Sequence, residues 1–239
     1  MKKTKVKILG ASLAVALFSV NMAGCTASKQ ASVKTAETYS RTEIITSAKD
    51  AKQLLEDGNK RFVSGNVLNK NISDTRRKDL SANGQHPFAV VVGCSDSRVA
   101  AEEIFDQGLG DIFVVRDAGN VIDPIVLGSI EYGAEHLGSP LIVVLGHEKC
   151  GAVKATVDGG EAAGSIDSIV EKIKPSLEKV KAAGTASADL AEKTTDENIK
   201  NSIVDIEKSP VIKHLVESGK VTVVGAKYHI ETGEVTFIE

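Results

Sequence analysis

The sequence predicts an α/β domain in which a mostly parallel β-sheet is flanked by helices. Two observations carry this. Four short apolar runs rich in β-branched residues recur along the chain, and they are continuous rather than alternating, as in strands covered on both faces. Stretches with helical spacing separate them, so strand and helix take turns. The 239 residues are 42% hydrophobic and 26% charged, enough to bury a core. Aromatics are only 4% and Trp is absent, so that core must be built mostly from Ala, Val, Ile and Leu.

The first 24 residues stand apart from the fold. Lys2, Lys3, Lys5 and Lys7 precede an uncharged apolar run from Ile8 to Val20. The run is short of the about 20 residues that span a bilayer, and it has the layout of a secretory signal. Ala23 and Gly24 then lead into Cys25. This resembles the bacterial lipobox, with Met22 where Leu is usual, and the resemblance implies that Cys25 is lipidated after cleavage. Ordinary cleavage near Ala27 without a lipid is the alternative. The expected organisation is a lipoprotein signal peptide at 1–24, lipidated Cys25 with a flexible polar tether at 25–45, and one domain at 46–239. The chain would then be extracytoplasmic and membrane-anchored, held by its lipid alone. Without residues 1–24, it carries 25 basic and 32 acidic residues, a net charge of −7. That balance argues against a nucleic-acid partner.

Ser47 is placed to cap a helix carrying Ala51, Leu54, Leu55 and Phe62. Residues 67–86 are polar and broken by Asn, Asp and Gly, and read as irregular. The four strand-like runs are Phe88–Gly93, Ile112–Val115, Leu141–Gly146 and Val221–Gly225. Asp123-Pro124 opens a helix expected to reach about His136, since Pro is tolerated in a first turn. Residues 165–182 and 196–218 also have helical spacing. Between them, 182–196 is small and polar, and reads as a loop. Thr232-Gly233 has the composition of a terminal hairpin turn.

The chemistry gathers where two of these strands end. The first closes in Gly93-Cys94-Ser95-Asp96-Ser97-Arg98 and the third in Gly146-His147-Glu148-Lys149-Cys150. In open α/β sheets, sites lie beyond the carboxyl ends of the strands, so the two segments can meet. Two thiolates and an imidazole (Cys94, His147 and Cys150) make a three-ligand zinc site with an open fourth position, suited to hydration or hydrolysis. A Cys94–Cys150 disulfide competes, because an extracytoplasmic compartment permits one. It leaves Asp96, Arg98 and His147 unexplained. A cysteine phosphatase loop does not fit, because three residues rather than five separate Cys94 from Arg98. No Gly-x-Ser-x-Gly elbow closes a strand.

Cys94-Ser-Asp-Ser-Arg98 followed by His147-x-x-Cys150 resembles the β-class carbonic anhydrases. Ile104–Arg116, Ala118-Gly-Asn120, Gly128–Tyr132 and Leu141–Ala155 read like the same family, so the likeness spans about residues 46–239. Two positions depart from it: Asp117 stands where Asn is usual, and Ala100 where Pro is. The resemblance implies one Zn²⁺ per chain on Cys94, His147 and Cys150, and reversible hydration of carbon dioxide to bicarbonate. In that reading, zinc-bound hydroxide is oriented by Asp96, and Arg98 keeps Asp96 ionised. It further implies that Gln85, Phe113 and Tyr132 contribute to the substrate pocket, the last two across a dimer interface. A homodimer or larger oligomer is therefore expected.

In one branch of the family, the residue matching Asp96 becomes a conditional fourth ligand in a closed state. That branch usually has Trp where Val91 stands, so the open type is expected here. His86 and His136 are candidates for carrying the proton away. His214 and His229 fall in no motif. Two rival functions share the metal ligands: hydrolysis of carbonyl sulfide or carbon disulfide, and non-catalytic zinc binding by a lipoprotein.

Overall fold

Side chains of two central strands alternate between two hydrophobic layers, and this organises the molecule. The structure, a computed structural model, describes residues 38–160 and 163–238. The expected signal peptide, Cys25 and most of the tether lie outside the described residues. Strands β1 (Ala89–Cys94), β2 (Ile112–Asp117), β3 (Leu141–His147), β4 (Thr222–Tyr228) and β5 (Val235–Ile238) form one sheet, in the order β2-β1-β3-β4-β5. The first four are mutually parallel and β5 is antiparallel to β4. The terminal hairpin expected at Thr232-Gly233 is therefore present, with Gly233 at φ +79°. β1 and β3 are buried along their whole length, which is why they read as continuous apolar runs.

On one face, Ala89, Val91, Leu141, Val143 and Leu145 pack with Ala51 and Leu55 of α1 (Ala48–Ser64) and with Ile104 of the short helix α3 (Ala101–Ile104). On the other, Val90, Val92, Ile142 and Val144 meet three helices. These are α4 (Pro124–Glu131), α7 (Leu190–Glu207) and α8 (Pro210–Glu217). Burying each such aliphatic side chain is worth about 1.5–3 kcal/mol. Helices α5 (Gly151–Asp158) and α6 (Ile166–Ala182) lie beyond the carboxyl end of β3 in sequence. Among the described residues, no helix is long and apolar enough to cross a membrane.

Helix starts follow the expected chemistry. Ser47 accepts from the Asp50 N–H, and Asp123 accepts from Ile125 and Val126 with Pro124 in the first turn. The helix after Pro124 ends in a π-turn at Tyr132–His136. Three expectations need correction. Residues 67–86 are not all irregular, because α2 (Asp74–Asn83) forms there, capped by Ser73. It buries no residue, so no apolar stripe marks it. The loop expected at 182–196 is already helical from Leu190, and Thr194 and Thr195 are buried there instead of aliphatic side chains. The single helix expected at 196–218 is two, because Ser209 caps a new start by accepting from the Ile212 N–H and Pro210 has no N–H to continue α7. Within the segment expected as tether, Tyr39 bridges to Lys70, and the Arg41 guanidinium pairs with buried Asp111 and stacks on Phe88.

Candidate metal centre

β1 and β3 are adjacent and parallel, so their carboxyl ends, Cys94 and His147, emerge side by side. Cys150 follows three residues later as the residue that starts α5. Lys149, in the left-handed region at φ +54°, makes the turn between them. The Sγ atoms of Cys94 and Cys150 and a ring nitrogen of His147 all lie within 4.8 Å of one another, and all three residues are buried.

Several features fit this trio to a metal. His147 Nδ1 lies 2.8 Å from the Glu148 carbonyl, which can only accept, so Nδ1 carries the proton and Nε2 is left with a lone pair. That Nε2 is buried and has no hydrogen-bond partner. An orphaned buried acceptor is costly unless something binds it. No disulfide joins the two cysteines, which answers the competing reading. Cys94 is held well below the usual thiol range, first by the Cys150 thiol beside it and then by His147 and the Gly119 N–H, against the opposing effect of burial. Cys150 is pushed up, because it keeps the proton that the two sulfurs share and because it is buried. A cation in place of that proton satisfies both sulfurs and the imidazole. Two sulfurs and one nitrogen suit zinc, with a fourth position open.

Asp96 and Arg98 form a closed pair beside the trio. The Arg98 guanidinium and its backbone N–H both donate to the Asp96 carboxylate, and Arg98 Nη2 reaches the Lys149 carbonyl at 3.3 Å. The pair thus ties the loop after β1 to the loop after β3. It also holds the Asp96 carboxyl well below the usual carboxylate range. Arg116, which the sequence did not single out, secures the same loop by donating to the Cys94 and Asp96 carbonyls at 3.0 and 2.6 Å.

Asp117, in register with Cys94, has a buried Oδ1 without a partner. Burial, then the nearby Cys94 and Asp123 charges, pushes its carboxyl up to about 7. His229 also enters the surroundings of the site, its Nδ1 lying 2.7 Å from Glu148 Oε1. Nothing in its local sequence marked that approach, because 81 residues separate the two.

The three expected substrate residues lie elsewhere. Gln85 is exposed and precedes the opposite end of β1, roughly 16 Å along the strand from Cys94. Phe113 sits in register with Val90, four residues before Asp117. Tyr132 is 47% exposed, with its ring 6.1 Å from Phe113 and 5.5 Å from His136. One chain therefore does not bring these residues to its own metal trio. An apolar hollow does adjoin it, lined by Ala118, Gly151, Ala152, Ala155, Ile169 and Val170.

Known proteins resemble this chain. A family model described as carbonic anhydrase matches residues 89–235. A carbonic anhydrase of Mycolicibacterium smegmatis is 47% identical over 186 residues, covering 76% of this chain and 88% of that protein. Carbonic anhydrase 2 of Mycobacterium tuberculosis is 44% identical over 184 residues, covering 75% and 87%. Among solved structures, a Coccomyxa β-carbonic anhydrase in complex with acetazolamide matches with a TM-score of 0.64 and 28% identity, over 69% of this chain and 78% of that one. One of two tetrameric β-carbonic anhydrases from Sordaria macrospora matches with a TM-score of 0.64 and 25% identity, over 69% and 87%.

Proposed function

This chain belongs to the β-class carbonic anhydrases, and from that premise we propose that it hydrates carbon dioxide reversibly at one zinc ion held by Cys94, His147 and Cys150. The observation that carries the reading is the buried, unpartnered Nε2 of His147, on a residue whose ring brings a nitrogen within 4.8 Å of two cysteine sulfurs. A zinc ion held there supplies Lewis acidity, which makes water a nucleophile at neutral pH.

The chain's own residues do the rest. Asp96 stays ionised because Arg98 covers both its oxygens, so it can only accept hydrogen bonds. It fixes the attacking water with its lone pair toward the carbon. Arg98 and Arg116 hold the Asp96 loop in place from two sides. The apolar hollow beside Gly151 offers an uncharged substrate an apolar approach.

Gln85, Phe113 and Tyr132 complete the pocket from a second copy of the chain. Two facts support this: none of them lies near its own trio, and β2, which carries Phe113, is an edge strand of the sheet. The tetrameric assembly named for the Sordaria macrospora enzymes supports an oligomer of this chain as well. Asp96 remains off the metal in this reading, since Arg98 holds both its oxygens in place. The amino-terminal sequence supports export and anchoring through a lipid on Cys25, with residues 46–239 as the catalytic domain outside the cytoplasm.

The test is stopped-flow carbon dioxide hydration by the zinc-loaded chain lacking residues 1–25, beside its Cys150→Ser variant. Rapid hydration that depends on zinc and disappears in the variant supports the proposal. One tightly held zinc per chain without hydration overturns it, and would favour carbonyl sulfide hydrolysis or plain metal binding.

A further inference from the structure

A line of hydrogen bonds runs from the middle of α7 to the sulfur of Cys94. The Gly119 N–H donates to Cys94 Sγ at 3.3 Å. The Gly119 carbonyl in turn accepts from Asn198 Nδ2 at 2.8 Å, and the Asn120 carbonyl accepts from Ser202 Oγ at 2.9 Å. Asn198 and Ser202 are four residues apart, share one face of the helix, and are each only 2% exposed.

This support is needed because the segment it holds is unusual. Gly119 and Asn120 are consecutive left-handed residues, at φ +78° and +45°. For a non-glycine residue that conformation costs about 1–3 kcal/mol and persists only when its surroundings impose it. Side-chain bulk is also excluded at Gly119, since a Cβ there would lie 2.8 Å from Ile173 and 3.1 Å from Ala152.

The approach of α7 is built for this contact. A Cβ at Gly146 or Gly225 would stand 2.6 or 2.8 Å from Ile199, the neighbour of Asn198. The two glycines let the helix settle onto the sheet immediately before His147. Lys227 of β4 pairs with Glu192 and Asp196, six and two residues before Asn198, and fixes the helix along its axis.

We propose that Asn198 is a positioning residue of the metal centre. By holding the Gly119 carbonyl, it keeps the Gly119 N–H on the Cys94 sulfur and limits the charge that this sulfur gives to the metal. Hydrogen bonds to a ligating group from outside the ligand set tune affinity and electronics in this way. The proposal rests on the zinc reading above. Asn198 touches neither substrate nor metal, so its effect must appear at the Cys94 sulfur.

The experiment uses the whole chain loaded with cobalt(II), whose sulfur-to-metal charge-transfer band reports the donor strength of the thiolates. Zinc affinity is measured in parallel by competition with a chromophoric chelator. Asn198→Ala should move the band to longer wavelength and, because the sulfur is no longer held in place and now binds a proton more tightly, lower zinc affinity about tenfold at neutral pH. Asn198→Gln, which keeps the amide donor, should recover part of both. Ser202→Ala, which loses the neighbouring bond to Asn120, should leave the band in place. If Asn198→Ala does not fold, Asn198→Ser, too short to reach the carbonyl, takes its place. An unmoved band with affinity within about twofold of the parent overturns the proposal, and so does an equal shift in Ser202→Ala. A parent chain that takes up neither zinc nor cobalt overturns the metal reading as well. A parent with a normal band beside an unmoved variant overturns the role of Asn198 alone.

Discussion

Arg98 grips Asp96 at both carboxylate oxygens, with Nε donating to Oδ1 at 2.9 Å and Nη2 to Oδ2 at 2.7 Å. A two-point bond fixes orientation as well as charge. Its consequence for pH follows from the sign of the shift. The Asp96 carboxyl is lowered in the folded protein, so whatever stability it adds is fully present above its unfolded value and is lost as pH falls through the folded one. Arg98→Ala releases the carboxyl toward the ordinary range near about 4. Hydration should fall about 10- to 100-fold, and the acid side of the profile should move upward in pH. Asp96→Asn should cost about 10²- to 10⁴-fold at every pH. Stopped-flow rates from pH 4 to 9 check both, with the change in Arg98→Ala expected at the acid end. Profiles that stay parallel down to pH 4 would show that Arg98 does not govern the ionisation of Asp96.

Metal removal should be felt throughout the domain. Cys94, Cys150 and Val153 share one small hydrophobic cluster with Ile173 of α6. Zinc at about a thousand times its dissociation constant adds about 4 kcal/mol to stability. For a domain of this size, that is a rise of roughly 8–16 °C in Tm. Thermal unfolding with and without a chelator measures it. Cys150→Ser should unfold at the same temperature whether zinc is supplied or not. A parent indifferent to chelation would mean that the trio holds no metal.

Asp117 makes the opposite prediction for pH. Its carboxyl is raised from 3.8 to about 7, mainly by burial. Between those values the folded chain keeps a proton that the unfolded chain has lost, so stability falls as pH rises through that window. The ceiling is about 4 kcal/mol, and partial exposure to solvent reduces the expected effect to about 2 kcal/mol. Asp117→Asn removes the loss. In metal-free protein, urea midpoints at pH 8 should favour the variant, and the gap should close toward pH 4. Equal midpoints at pH 8 would show that the carboxylate is already accommodated there.

The parts of the molecule legible in the sequence are those where one residue type has one use. β1 and β3 were readable because strands buried on both faces need unbroken apolar runs. Cys94, His147 and Cys150 were readable because ligand types close both strands. α2 was not, since a helix that buries nothing shows no apolar stripe. The start of α7 was hidden for a related reason: the first buried residues of the helix are Thr194 and Thr195, polar residues that mimic a loop. Asn198 was invisible as part of the site because 79 residues separate it from Gly119. That Gln85, Phe113 and Tyr132 do not sit at their own trio is a property of strand register and not of any local motif.

The segment ahead of α1 offers a last prediction, about where the folded domain begins. Arg41 Nη2 lies 3.2 Å from Asp111 Oδ1, with only 9% and 1% of the two side chains exposed. Its guanidinium also stacks 4.8 Å from the Phe88 ring centre, and Tyr39 exchanges backbone hydrogen bonds with Asn69 and Asn71. Cutting the chain at residue 46 removes all of these contacts and leaves Asp111 buried and without its cation. Breaking such a pair from one side costs about 3–5 kcal/mol. A chain beginning at residue 46 should therefore be about 3 kcal/mol less stable in urea than one beginning at residue 36, and Arg41→Ala in the longer chain should reproduce most of the loss. If the two chains unfold at the same urea concentration, residues 36–45 act as tether alone. If they differ as expected, the tether is shorter than its polar composition suggests, because Arg41 and Tyr39 are polar residues used for packing.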